Sequence, residues 1–128
     1  MTDAVFDTTV FIDAYRGRAG AIARLDAAVN GRLLAAYSPV TAYEIWLRRM
    51  SRAEELVHAS MLLALEEVPF TAVLARQVAA WLRALSRSQR LRLAADAMIA
   101  ATATSLGATV YTRNPRDFQR FYPNVEAY

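Results

Sequence analysis

A regular alternation of short apolar runs with longer segments of helical periodicity constrains the fold of this chain most strongly. The apolar runs have the length of buried strands and lie at residues 4–6, 33–37 and 108–111. Residues 68–70 predict a short third strand or an edge piece, and a last short strand is expected near Val125. Strands that alternate with helices pair in parallel, and the helices cover both faces of the sheet. The sequence therefore predicts an α/β fold with three layers, α/β/α, around a short central parallel sheet. We expect a single domain over residues 1–128, because no linker, repeat or low-complexity tract interrupts the alternation.

Caps and periodicity together set the limits of the predicted helices. Apolar residues recur at helical spacing, in several cases after a Ser or Thr cap, in the segments 10–15, 21–30, 38–50, 51–65, 71–85 and 93–106. Residues 86–92 have the composition of a polar, basic loop. Asn114 and Pro115 predict a turn after the strand at 108–111. Most of the predicted strands thus lead into a helix or a turn that begins at the same edge of the sheet.

Three absent or rare residue types exclude several kinds of chemistry. All fifteen basic residues are arginine, so the chain has no lysine for a phosphate-binding loop or a Schiff base. It has no cysteine and only one histidine, which excludes zinc sites built from these residues. Any chemistry must therefore use carboxylates, hydroxyls, amides and guanidinium groups.

Charge and hydropathy bear on the partners and on the location. The net charge of +3 is a small excess that points weakly to a polyanionic partner, and an arginine-rich proteome explains it equally well. No apolar run approaches the roughly 18 residues of a membrane span, and the first residues do not resemble a signal peptide. We expect no membrane association and a cytoplasmic location.

Side chains with oxygen atoms follow four of the predicted elements at one edge of the sheet. Asp7 ends the first strand, Glu44 lies about one and a half turns into the helix after the second, and Asp96 lies in the first turn of the helix at 93–106. Asn114 and Asp117 follow the strand at 108–111. Parallel sheets build their sites at this edge, and carboxylates about 5 Å apart repel by roughly 3 kcal/mol at an effective dielectric constant near 20. The pattern predicts a cation held by oxygen ligands, for which Mg²⁺ or Mn²⁺ is the natural choice.

Each acid also has a simpler interpretation. Asp7 alone could cap the following helix, and Glu44 could pair with Arg48 on the helix surface. Asp96 could be a first-turn acid that suits the helix dipole. The three acids together at one edge, two of them in apolar surroundings, favour a common site.

Four motifs resemble a known family in order and spacing. They are VFDTTVFID at residues 5–13, SPVTAYEI at 38–45, ADAMIAATA at 95–103 and VYTRNPRDF at 110–118. Each motif alone is weak, but the ordered set resembles the PIN domain, specifically the VapC-type toxins, over residues 4–122.

This resemblance implies an endoribonuclease that depends on Mg²⁺ or Mn²⁺, is held inactive by a VapB-type antitoxin, and forms a homodimer. Asp7 and Asp96 would be direct metal ligands, and Glu44 would be the acid of the second motif, often reaching the metal through water. Thr8 and Thr112 would orient ligands or water by hydrogen bonds.

The fourth motif departs from the commonest form of the family. Many members have an acid where Asn114 stands, and here the acid follows three residues later, at Asp117. Asn114 offers an oxygen without charge, so either residue could complete the site. In the first motif, Thr9 stands where Asn or Ser is common.

Arginines beside these motifs are candidates to guide an RNA strand, with a solvated basic surface as the simpler interpretation. They are Arg113 and Arg116 at the fourth motif, and Arg87, Arg90 and Arg92 before Asp96. The main alternative to a nuclease is a catalytically weak PIN-like module that binds RNA or protein.

Overall fold

The computed structural model describes residues 1–128 and confirms an α/β fold on one parallel sheet. The five strands are β1 (Ala4–Phe6), β2 (Ala35–Tyr37), β3 (Glu66–Glu67), β4 (Thr109–Tyr111) and β5 (Val125–Glu126). The seven helices are α1 (Thr8–Tyr15), α2 (Ala19–Val29), α3 (Pro39–Leu47), α4 (Arg52–Leu63), α5 (Ala72–Arg83), α6 (Arg87–Leu106) and α7 (Pro115–Gln119). The strand order is β3-β2-β1-β4-β5, and every neighbouring pair is parallel.

The central strand β1 sends its side chains to both faces of the sheet. Phe6 packs into a core with Phe11 of α1 and Leu25 of α2, whereas Val5 packs into a second core with Ile99 of α6. Successive residues of a strand point to opposite faces, so a strand that is apolar at every position must be covered on both. The helices on the two faces make the three predicted layers.

Small residues along α6 serve two interfaces. Ala100 and Ala103 face the sheet, while Ala97 and Ala101, one turn apart, face α5 and contact Leu74 and Val78. Without large side chains, the backbone of α6 approaches the sheet closely on one side and receives α5 on the other. The stripe of small residues therefore fixes where α6 lies against the sheet.

Helix starts follow the capping residues. The hydroxyls of Ser38, Ser51, Thr71 and Ser86 each accept a hydrogen bond from a backbone N–H of the following turn, a contact worth about 1 kcal/mol apiece. At Ser86 the bond is part of a complete capping box with Gln89. The prediction of a loop over 86–92 is therefore wrong, because this cap starts α6 at Arg87.

Two further predictions differ from the structure. Asp96 is the tenth residue of α6 rather than a first-turn acid, so the helix dipole does not stabilise its charge. The third strand is Glu66–Glu67 and not residues 68–70. Its backbone pairs with β2 at the sheet edge while both side chains are exposed, so it has no apolar signal.

The chain reverses its direction of strand addition at β1. It builds β2 and β3 on one side and then returns to place β4 and β5 on the other. Ligand sites of parallel sheets form at such a switch point, at the carboxyl ends of the strands. Here that point lies between Phe6 and Tyr111, which pair in register. None of the helices is both long and apolar enough to cross a membrane.

Candidate active site

Asp7 lies at the switch point and is only 4 % exposed. Its Oδ2 atom accepts hydrogen bonds from the hydroxyls of Thr9, at 2.8 Å, and Thr112, at 2.9 Å. Burial raises the pKa of Asp7 above its ordinary value, and these two hydrogen bonds oppose the rise. Asp7 occupies the N-cap position of α1 but makes no capping hydrogen bond there, so the role of a simple cap does not describe it.

Backbone groups of the segment after β4 orient both hydroxyls. The N–H of Arg113 donates to Thr9 Oγ1 at 3.0 Å, and the N–H of Asn114 donates to Thr112 Oγ1 at 3.0 Å. A hydroxyl has one proton to donate. An N–H that approaches the oxygen from one side leaves that proton pointing to Asp7. Residues 112–114 therefore hold the carboxylate of Asp7 from the segment that follows the neighbouring strand β4.

Glu44 lies on α3 and is held by the first motif. The hydroxyl of Thr8 donates to Glu44 Oε1 at 2.6 Å. Burial raises the pKa of Glu44, the Thr8 hydrogen bond opposes this, and the charge of Asp7 raises the pKa further. Arg48 binds Glu54 instead, at 3.0 Å, so the surface pair of Glu44 with Arg48 does not form.

Asp96 lies on α6, and of the three acids it is the one whose negative charge is offset by no hydrogen bond. Its pKa is raised to about 7, first by burial. The negative charges of Asp7, Asp117 and Glu44 raise this pKa further, and Arg92 opposes them. No protein donor makes a hydrogen bond to Asp96 that could offset this, unlike Asp7 and Glu44. Asp96 thus feels the charges of three other carboxylates and accepts no hydrogen bond from the chain.

The residues of the fourth motif lie further out. Asn114 is exposed at the start of α7, and its side chain makes no capping hydrogen bond. Asp117 Oδ1 accepts a hydrogen bond from Arg92 Nη1 at 3.3 Å. This pair bridges α6 and α7 beside Asp96.

The candidate arginines fall into two groups. Arg113 and Arg92 are already engaged with acids, Arg113 with Asp13 at 2.9 Å and Arg92 with Asp117. The other three, on α6 and α7, are exposed and form no ion pair; they are Arg87, Arg90 and Arg116. The second group is the one available to an external anion.

The donor chemistry of the site fits a hard cation, because every candidate ligand is an oxygen. No group of three or more acidic or histidine side chains lies close enough together to hold a metal ion. The side chains alone do not make a closed cage. Mg²⁺ is commonly bound by one or two carboxylates, with water and substrate oxygens completing its coordination, and the pair of Asp7 and Asp96 matches that mode.

Sequence reasoning assigned no role to three residues near this site. Thr9 stands out only as an unusual member of the first motif, yet it bonds Asp7. Asp13 is fully buried and binds Arg113, Arg18 and Tyr128. Its place in an apolar helix, at the end of the first motif, could have marked it. Tyr128 gave no signal, because its partner lies 115 residues away in the sequence.

Comparisons with known proteins find a family model and several solved structures that are similar to this chain. The family model of the PIN domain matches residues 4–122. None of the curated proteins matches the sequence. Among solved structures, the chain resembles one chain of a toxin–antitoxin complex from Klebsiella pneumoniae, with 26% identity, a TM-score of 0.75, and 97% and 96% of the two chains covered.

Two further structures are similar over their whole length. DNA-bound VapBC from Salmonella typhimurium matches at 25% identity and a TM-score of 0.69, covering 100% of this chain and 98% of that one. VapBC2 from Rickettsia felis, bound to a promoter DNA fragment, matches at 18% identity and a TM-score of 0.73, with 99% of each chain covered. At that identity the second likeness shows the fold alone.

Proposed function

The chain belongs to the PIN-domain family, and from this membership we propose that it is a metal-dependent endoribonuclease, the toxin of a type II toxin–antitoxin pair. The observation that carries the proposal is the setting of Asp96, which is half-buried near Asp7, Asp117 and Glu44 and accepts no hydrogen bond from the chain; burial first, and then these three charges, raise its pKa to about 7. A fold that needed these acids only for stability would supply each with a cation. An uncompensated carboxylate beside two others favours a site that binds an external one.

Asp7 and Asp96 are the proposed direct ligands of Mg²⁺ or Mn²⁺, with Glu44 reaching the ion through water. Both hydroxyl donors of Asp7 go to Oδ2, so Oδ1 accepts no side-chain hydrogen bond and is the oxygen that we assign to the cation. When bound, the metal would activate a water molecule and offset the charge that develops on the phosphate. The chain's own contribution is to hold the carboxylates, through Thr8, Thr9 and Thr112.

RNA is the proposed substrate, and its phosphates would be held by the exposed arginines around the acids, which are Arg87, Arg90 and Arg116. Arg113 and Arg92 would act instead through the acids they bind. Asp117 would hold Arg92 at the rim, and Asn114 would offer the further oxygen. An RNA target also implies a cytoplasmic site of action.

A VapB-type antitoxin and a second copy of the chain are the proposed protein partners. The similar structures from Klebsiella pneumoniae and Salmonella typhimurium are toxin–antitoxin complexes. Large apolar side chains at the end of α3 and along α4 are exposed, a feature typical of interaction surfaces; they are Trp46, Leu47, Leu56, Val57 and Leu63. We expect the antitoxin to cover part of this surface.

The test is RNA cleavage by the purified chain with Mg²⁺, with a chelator, and by the variant Asp96→Asn. We expect cleavage that stops in the chelator and falls by about 10²- to 10³-fold in the variant. Asp26→Asn, at an exposed aspartate of α2, is the matched control and should cleave like the wild type. Full cleavage by Asp96→Asn contradicts the site. Absence of cleavage by the wild type, with RNA or protein still bound, indicates the non-catalytic module instead.

A further inference from the structure

A second buried carboxylate, Asp13, lies behind the candidate site. It is on α1, is fully buried, and both of its oxygens are engaged. Oδ1 accepts a hydrogen bond from Arg113 Nη1 at 2.9 Å and lies 3.6 Å from Arg18 Nε. Oδ2 accepts a hydrogen bond from the hydroxyl of Tyr128 at 2.6 Å. Asp13 therefore joins three distant parts of the chain.

Arg113 connects this carboxylate to the site through its backbone. Its guanidinium binds Asp13, and its N–H donates to Thr9 Oγ1 at 3.0 Å. The Thr9 hydroxyl in turn donates to Asp7 Oδ2 at 2.8 Å. The resulting path runs from Tyr128 through Asp13, Arg113 and Thr9 to Asp7, and none of its links exceeds 3.0 Å.

The ion pair between Asp13 and Arg113 restricts the movement of the residues along this path. A buried carboxylate that loses its cation is strongly destabilised, so Asp13 holds the Arg113 guanidinium firmly. The residues on either side of Arg113, Thr112 and Asn114, also bond within the site. Fixing Arg113 thus fixes both backbone N–H groups that orient the hydroxyls on Asp7.

Tyr128, two residues after β5, completes the arrangement. Its backbone packs so closely on α2 that a Cβ at Gly20 would lie 2.7 Å from the carbonyl carbon of Tyr128. Such contact holds the phenol against Asp13. The phenol keeps its proton at neutral pH, because burial and the hydrogen bond to Asp13 raise the pKa of Tyr128.

We propose that Asp13 and Tyr128 are positioning residues of the site, which fix Arg113 so that residues 112–114 hold Asp7 in its metal-binding orientation. The inference rests on the proposed function and deepens it. It assigns Arg113 a different role from an RNA-binding arginine. The partly exposed guanidinium is committed to the buried carboxylate of Asp13, and its effect on catalysis passes through the backbone.

The first experiment measures the positioning without metal or RNA. Amide hydrogen exchange of Arg113 and Asn114 is compared in the wild type, in Tyr128→Phe and in Tyr122→Phe. The control also removes a phenol hydrogen bond, that of Tyr122 to the carbonyl of Ala108 at 2.8 Å. We expect Tyr128→Phe to speed exchange of these two amides by about 5-fold and the control to leave them unchanged. Unchanged exchange in Tyr128→Phe overturns the inference.

The second experiment measures the consequence for the site. Binding of Mn²⁺ to the protein alone, and kcat and KM for RNA, are measured for Asp13→Asn, Arg113→Lys, Arg113→Ala and Tyr128→Phe. We expect Mn²⁺ affinity and kcat to fall by about 10- to 100-fold in Asp13→Asn and by about 3- to 10-fold in Tyr128→Phe. The KM for RNA should stay unchanged, and Arg113→Lys should retain more affinity for Mn²⁺ than Arg113→Ala.

Three other outcomes are distinguishable. A lower melting temperature with unchanged Mn²⁺ affinity and kcat assigns a purely structural role to Asp13 and overturns the inference. A raised KM in Arg113→Ala, without any effect of Asp13→Asn, makes Arg113 an RNA contact and also overturns it. A wild type that neither binds Mn²⁺ nor cleaves RNA refutes the proposed function, and hydrogen exchange then decides the positioning by itself.

Discussion

Replacing Asp96 by asparagine should stabilise the cation-free protein while it removes the activity. In the folded chain, burial and the charges of Asp7, Asp117 and Glu44 raise the pKa of Asp96 from 3.8 to about 7. The folded state therefore binds this proton more tightly than the unfolded state does. A raised pKa of this kind means that stability falls as the pH rises from about 4 to about 7 and is constant above that.

The structure sets the size of the effect. A rise of the Asp96 pKa from 3.8 to about 7 corresponds to at most about 4 kcal/mol, at about 1.36 kcal/mol for each tenfold change in proton affinity. Asp96 is partly exposed, so water reduces both the cost of burying its charge and the repulsion, and we expect about half of this energy, ~2 kcal/mol. For a chain of 128 residues with an unfolding entropy near 0.27 kcal/mol/K, that is a gain of ~7 °C in melting temperature.

Thermal unfolding in EDTA, for the wild type and for Asp96→Asn, measures this gain. It should be full at about pH 8 and small at about pH 4.5, where the wild-type carboxyl is also protonated. Asp26→Asn, on the exposed surface of α2, should show no comparable gain at either pH. If Asp96→Asn is no more stable than the wild type at the higher pH, burial and the neighbouring carboxylates do not disfavour the charge of Asp96 as the structure implies.

Three further outcomes are expected. Saturating Mg²⁺ should raise the melting temperature of the wild type by about 5 °C or more and that of Asp96→Asn by much less; equal shifts, measured by differential scanning fluorimetry, would place the cation elsewhere. Thr112→Val removes a hydroxyl donor from Asp7, and isothermal titration should show Mn²⁺ affinity lower by about 10-fold or more; an unchanged affinity contradicts the holding role of this hydroxyl. Gly20→Ala places a Cβ 2.7 Å from the backbone of Tyr128 and should cost about 1–3 kcal/mol in denaturant unfolding; a neutral result means that this contact yields without strain.

The fold could be predicted where local signals were strong. The apolar run of β1 and the caps at Ser38 and Thr71 define elements that the structure retains nearly as predicted. The start of α6 was missed because arginines and serines have the composition of a loop, although Ser86 and Gln89 carried the capping signal. β3 was misplaced because backbone pairing alone defines it.

The acids of the site could be predicted, but the contacts that hold them could not. Asp7 and Glu44 follow strands in an order that the sequence displays. The bond from Thr112 to Asp7 spans 105 residues, and that from Tyr128 to Asp13 spans 115. Such pairs depend on how the two halves of the sheet meet, and no local pattern records it. The interpretation of Asp96 as a first-turn acid stabilised by the helix dipole is wrong for a related reason. The position of Asp96 in the helix depends on where α6 begins.

The hydrogen bond across the switch point also has a consequence for synthesis. Asp7 emerges from the ribosome early, whereas Thr112 and Arg113, which hold it, are made about a hundred residues later. A nascent chain that ends before β4 carries the acids of the first three motifs but lacks the donors that orient Asp7. The order of translation thus delays assembly of the site until nearly the whole chain has been made.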